Sequence, residues 1–128
     1  MAKLDEVCKK VIEKTEWIAI TTAGPDGPHV VGTWGDYVRM LGFGDDTLII
    51  PVGRMHKTET NLKHDNRVIL LCGTRQVLGS RGTPGQGCDI AGAAEFQTSG
   101  AHFDAVKAKF PWARAALVVR VQEANTQL

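Results

Sequence analysis

The sequence predicts a mainly β protein, an antiparallel barrel with flanking helices, and three observations carry that expectation. Seven or so short β-branched or apolar runs are separated by tight turn chemistry. Those runs and three helical segments do not alternate in the βαβ manner of a doubly wound sheet. A chain of 128 residues suits one core, so residues 1–128 are expected to form a single domain.

Each element has its own signal. Leu4, Val7, Val11 and Ile12 recur at helical spacing among charges, so residues 3 to 14 read as an amphipathic helix covering one end of a sheet. WIAITTA (17–23) reads as a strand, and the GPDGP that follows reads as a hairpin turn, because Pro presets φ and Gly permits positive φ. His29 to Trp34 is the return strand, with Asp36 to Leu41 expected to continue it past Gly35. GFGDD (42–46) turns the chain into a strand from Thr47 to Val52. A short helix over 58–64 precedes two strands, RVILLCG and RQVLGS, then the glycine-rich RGTPGQG, with 80–87 expected to be mobile, and the strand CDIAGAAEFQT. Phe103, Val106 and Phe110 mark a helix over 101–110 that stops at Pro111, which has no N–H to donate. Ala115 to Val121 forms the last strand.

Charge and cysteine usage bound the function. With 15 basic and 14 acidic residues and no like-charge run beyond Lys9-Lys10, neither nucleic acid nor a membrane surface is an expected partner. The longest apolar runs, VILLC (68–72) and AALVV (115–119), fall far short of the ~20 residues that span a bilayer. Cys8, Cys72 and Cys88 lie far apart without CxxC spacing, which suits small buried hydrophobes in a reducing, cytoplasmic setting. His29, His56, His64 and His102 show no metal-ligand spacing, so no metal site is expected.

PVGRMHKTETNL (51–62) is the stretch with the clearest chemistry. An apolar strand opens through Gly53 into a helix, and free N–H groups at a helix N-terminus attract anions. Lys57 adds a compact positive charge, and Thr58 a hydroxyl that also suits an N-cap. On these residues alone two readings stand: an anion cradle, or a capping Thr58 preceded by solvated Arg54, His56 and Lys57. In TWGDY (33–37), Thr33 offers another hydroxyl, while Trp34 and Tyr37 offer flat surfaces for a binding wall or for ordinary packing. No GxSxG elbow or Walker sequence occurs, and RGTPGQG lacks GK[ST]. No acid–base pair or activated nucleophile stands out, so no catalytic residue is assigned.

Taken together, DGPHVVGTW (26–34), PVGRMHKTE (51–59), GQG (85–87) and KFPWARAALVV (109–119) give a chain that resembles the small FMN-binding proteins of the flavin split-barrel superfamily, which includes pyridoxamine 5′-phosphate oxidases. The resemblance implies a homodimeric six-stranded split barrel holding FMN near the subunit interface. In it the HKT segment (His56, Lys57, Thr58), with Thr33 nearby, meets the phosphate, and Pro51, Val52 and Gly53 offer backbone groups to the isoalloxazine ring. Trp34, Tyr37 and Trp112 surround the ring, and Leu128 reaches toward the cofactor of the partner subunit. Gly32 stands where the resemblance implies Asn. The loops at 42–46 and near 83 are longer than the family's, and 123–127 is out of step by one residue. The expected function is electron transfer by non-covalently bound FMN with a redox partner protein. Its alternatives are an oxidase or reductase with a second anion pocket from Arg75, Arg81 or Arg114, and a non-redox module for FMN or another phosphorylated ligand.

Overall fold

A computed structural model describes residues 3–128. Six strands form one antiparallel sheet in the order β2-β1-β4-β5-β6-β3, curled into a split barrel. They are β1 (Trp17–Gly24), β2 (Gly27–Trp34), β3 (Thr47–Val52), β4 (Arg67–Leu78), β5 (Pro84–Gln97) and β6 (Ala115–Thr126). The helices are α1 (Glu6–Lys14), α2 (Gly35–Leu41), α3 (His56–His64) and α4 (Ala101–Lys109).

The period of 2 in β1 explains the barrel's interior. Ile18, Ile20 and Thr22 point inward while the residues between them face out, and they meet inward Cys72, Leu70 and Val68 of β4 across the ladder. Leu48 and Ile50 of β3 and Leu117, Val119 and Val121 of β6 join the same core. α1 adds Cys8, Val11 and Ile12 to it, and its N-terminus is capped by Asp5, whose Oδ1 accepts from the Cys8 N–H at 2.8 Å. A second, smaller cluster lies where Val106 and Phe110 of the α4 segment pack with Ala113, Ala116 and Val118, joined by Tyr37 and Leu41 of α2.

Two expectations need correction. Residues 36–41 do not extend β2; they form α2, because Val38 and Leu41 lie one helical turn apart and both are needed in the packing against neighbours. Gly35 starts that turn hard against α1, where a Cβ would lie 2.1 Å from the Thr15 carbonyl oxygen, and Arg39 Nη1 donates to the Ile12 and Thr15 carbonyls at 2.9 and 2.7 Å. RVILLCG and RQVLGS form one strand, β4, since Gly73 pairs with Gly87 and the ladder runs on to Thr74 before its register shifts. The connection after it closes as a tight hairpin in which the Gly79 N–H donates to the Thr83 carbonyl at 2.9 Å.

Candidate functional site

β3 ends at Val52 and the chain turns through Gly53 and Arg54 to Met55, the one non-glycine residue with positive φ (59°) among the described residues. Met55, not Thr58, is the N-cap of α3, and it makes no side-chain capping bond. His56, Lys57 and Thr58 therefore occupy the first turn, where N–H groups have no acceptor within the helix. The first in-helix bond runs from the Glu59 N–H to the Met55 carbonyl at 3.0 Å.

Within that turn, Thr58 is fully buried and its Oγ1 is the one buried side-chain polar atom without a hydrogen-bond partner among the described residues. An orphaned hydroxyl of this kind costs about 1–3 kcal/mol, and a ligand atom or an ordered water is what would satisfy it. His56 and Lys57 are exposed. The Lys57 ammonium stands 3.7 Å from the Asp26 carboxylate in the β1–β2 turn. α3 is seated over that hairpin by Asn61, whose Nδ2 donates to the buried Thr22 hydroxyl at 3.1 Å, and by Gly24, where a Cβ would lie 2.1 Å from Asn61 Oδ1.

Arg114 fixes the loop that leads into α3. Its N–H donates to the Val52 carbonyl at 2.8 Å, its Nε to the Gly53 carbonyl at 3.1 Å, its Nη2 to the Arg54 carbonyl at 2.6 Å and its Nη1 to Glu59 Oε1 at 2.9 Å. The Val52 and Gly53 carbonyls thus already accept from Arg114. Its five-donor planar head suits such a fan of acceptors.

The aromatic residues fall into two groups. Tyr37 of α2 lies 4.9 Å from Phe110 and 5.8 Å from Trp112 between ring centroids, and Trp112 closes over Gly53, where a Cβ would be 3.2 Å from its Cζ3. Trp34 instead pairs edge-on with Trp17, 4.7 Å between centroids, on the outer face of β1 and β2. Thr33, its neighbour, is buried on the inward face opposite Ile18. Pro51 and Val52 pair with Ala116 and Ala115 of β6.

Leu128 is placed apart from all of these. It sits by the β4–β5 hairpin, its carbonyl accepting from the Ser80 N–H at 2.9 Å. β6 starts beside Trp112 and runs 12 residues before it, about 3.3 Å each. Asp26, Trp17, Arg114 and Gln86 have contacts at these places that sequence reasoning did not foresee. The placement of Asp26 in DGPHVVGTW, of Arg114 in KFPWARAALVV and of Gln86 in GQG could have pointed to them, whereas Trp17 lay in no such stretch.

The FMN-binding protein of Nitratidesulfovibrio vulgaris (strain DSM 19637 / Miyazaki F) is 45% identical over 119 residues, covering 93% of this chain and 94% of that one. Among solved structures, a HupZ variant from Group A Streptococcus aligns with a TM-score of 0.76 at 18% identity, covering 97% of this chain and 99% of that one. An FMN-binding protein from Syntrophomonas wolfei subsp. wolfei aligns at 0.69 with 17% identity, covering 98% and 86%. The two structural likenesses bear on the fold. The chain matches the pyridoxamine 5′-phosphate oxidase family over residues 4–127 and belongs to it.

Proposed function

We propose that this chain is an FMN-binding flavoprotein that carries electrons, acting as a cytoplasmic homodimer with a redox partner protein. The observation that carries the reading is the buried, unpartnered Thr58 hydroxyl in the first turn of α3, one residue from the Lys57 ammonium. A phosphate monoester near neutrality carries about −1.5 to −2 charges. A hydroxyl donor, free N–H groups and a cation are the set that offsets its lost hydration. The name of the 45% identical relative supports FMN as the phosphate's bearer.

In this reading Lys57 neutralises the phosphate and Thr58 donates to it, while Arg114 holds the Gly53–Met55 turn so that both stay in place. Tyr37 and Trp112 exclude water beside Gly53, and Trp34 lines the outer face of β2. Bound FMN supplies the electron chemistry, and the chain supplies orientation, burial and local charge. Weakly polar aromatic walls disfavour a negatively charged reduced ring and so lower its potential.

Two features support a second copy. Trp17, Val30, Trp34, Ile69 and Leu71 are exposed on one outer face of β2, β1 and β4, an apolar surface of the kind that marks an interface. Leu128 stands a whole strand length from Trp112, so a site containing both needs two chains. A second reading, an oxidase acting on an anionic substrate, is favoured by one feature: Arg75 and Arg81 line a cavity of about 510 Å3 together with Leu128. Arg114 is committed to the Gly53–Met55 turn instead.

The test is an absorption spectrum of the purified protein, an FMN titration, an anaerobic reductive titration and a mass measurement in solution. Flavin absorption, reversible reduction and a dimer mass are expected. A colourless protein that takes up no FMN overturns the reading, and peroxide formation from pyridoxamine 5′-phosphate favours the oxidase.

A further inference from the structure

α4 ends at Lys109, and the chain reverses at once over Phe110–Ala113, where the Ala113 N–H donates to the Phe110 carbonyl at 2.9 Å. Pro111 takes the second position of that four-residue turn, which its fixed φ suits, and Trp112 takes the third. The Lys107 ammonium reaches over from the last turn of α4. It donates to the Pro111 carbonyl at 2.6 Å and to the Ala113 carbonyl at 2.8 Å, one on each side of Trp112. Among the described residues it pairs with no carboxylate.

The Pro111 carbonyl belongs to the central peptide of the turn. The two common forms of such a turn differ in the orientation of that one peptide, and the alternative form needs a positive φ at the third position. The φ of Trp112 is not positive. An ammonium bonded to the Pro111 carbonyl holds the peptide in the observed orientation, and with it the direction in which the indole leaves the chain.

That direction matters because Trp112 is 52% exposed, so burial alone does not fix its ring. The ring lies against Gly53, where a Cβ would be 3.2 Å from Cζ3 and 3.3 Å from Cε3, and its centroid stands 5.6 Å from that of Phe110. Gly53 opens the turn into α3, whose first turn carries the unpartnered Thr58 hydroxyl. Arg114 ties the chain at Gly53 and Arg54, and Lys107 ties the loop that lays the indole over it.

We infer that Lys107 is a positioning residue that, through the Pro111 and Ala113 carbonyls, holds the Trp112 ring over Gly53 beside the first turn of α3; its consequence for FMN rests on the proposed function above. An ammonium offers three donors and no acceptor, and two of them are engaged here. Arginine can also serve two carbonyls, whereas methionine keeps the apolar stem and leaves both carbonyls to water. Lys107 is exposed, so its replacement leaves the core intact.

The test compares Lys107→Met, Lys107→Arg, Trp112→Phe and the double variant Lys107→Met/Trp112→Phe with the unaltered protein, first without FMN and then titrated with it. With fluorotryptophan incorporated, the fluorine NMR line that Trp112→Phe deletes belongs to Trp112. Without FMN that line is expected to shift or broaden in Lys107→Met while those of Trp17 and Trp34 stay in place, and to return in Lys107→Arg. With FMN, affinity should fall by up to about tenfold in Lys107→Met. Flavin fluorescence should move in the same direction as in Trp112→Phe, and the double variant should match Trp112→Phe rather than multiply the two effects. An unmoved Trp112 line in Lys107→Met overturns the inference, even with a lowered melting temperature, which is the mark of a lysine that only favours the C-terminal end of α4. Unchanged affinity and flavin fluorescence in Lys107→Met, or multiplying effects, overturn it as well. If the unaltered protein takes up no FMN, the functional reading falls, and the fluorine line still decides whether Lys107 holds Trp112.

Discussion

The Trp17 indole lies so close over Gly32 that a Cβ there would be 1.8 Å from its Cζ2. The resemblance places an asparagine at position 32; here that side chain's space on the outer face of β2 is filled by the indole, which also packs edge-on against Trp34. Glycine at 32 and tryptophan at 17 are two halves of one packing choice. Gly32→Asn alone should overpack the site and cost about 1–3 kcal/mol of stability. Adding Trp17→Ala should restore much of the melting temperature. Thermal unfolding of both variants checks this, and a double variant no more stable than Gly32→Asn alone would count against it.

Thr58 supports a prediction with opposite signs in two states. Thr58→Val removes an unpartnered buried hydroxyl at nearly constant shape. Without FMN the variant should therefore melt higher, by up to about 1–3 kcal/mol of stability. With FMN it should bind about tenfold more weakly, having lost one donor to a charged group. Calorimetry and fluorescence titration on the same samples decide the matter; equal affinity in the two proteins would remove Thr58 from the site.

The Asp26 carboxylate and the proposed phosphate compete for the same cation, the Lys57 ammonium. Lys57→Ala should weaken FMN binding about 10- to 150-fold, the loss of a charge-assisted bond of about 1.5–3 kcal/mol. Asp26→Asn frees the ammonium and removes a nearby negative charge. As the pair is 3.7 Å apart with both side chains at least half exposed, the gain should stay within about fivefold. Added salt should shrink the difference between Asp26→Asn and the unaltered protein.

The three cysteines predict behaviour with pH. Burial pushes the Cys72 thiol up from its ordinary 9.0 to about 12 and that of Cys88 to about 11, and burial acts on Cys8 in the same direction. The unfolded chain releases these protons near pH 9 while the folded chain keeps them. Their contribution to stability is thus complete below pH 9 and is lost as the pH rises through 11 to 12. At pH 8 the native protein should react slowly with a thiol reagent and the denatured protein fast. Rapid labelling of any thiol in the native state would contradict the burial of all three.

Strands and turns were legible because their signals are local. β3 runs from Thr47 to Val52 as its apolar run suggests, and α4 stops before Pro111 as that residue requires. α2 was misread because its Val38 and Leu41 follow directly on a strand, and a period of about 3.6 is hard to see in seven residues. Lys57 and Thr58 were legible as members of a strand-to-helix opening, though the αL turn at Met55 moved the cap away from Thr58. Arg114 was not, because its partners Gly53 and Arg54 lie 61 and 60 residues away and only the β3–β6 pairing brings them together. Asp26 reaches Lys57 and Trp17 covers Gly32 by the same kind of long-range pairing.

Arg114 also has a kinetic consequence. Because one guanidinium ties two carbonyls of the turn and a carboxylate of α3, that turn's ordering entropy is settled when the chain folds. In the proposed function a phosphate headgroup would meet a preorganised turn and have little to rearrange beyond the grip of Asp26 on the Lys57 ammonium. Capture should therefore be a single fast step whose rate tracks ligand concentration and ionic strength, with no slow conformational phase behind it.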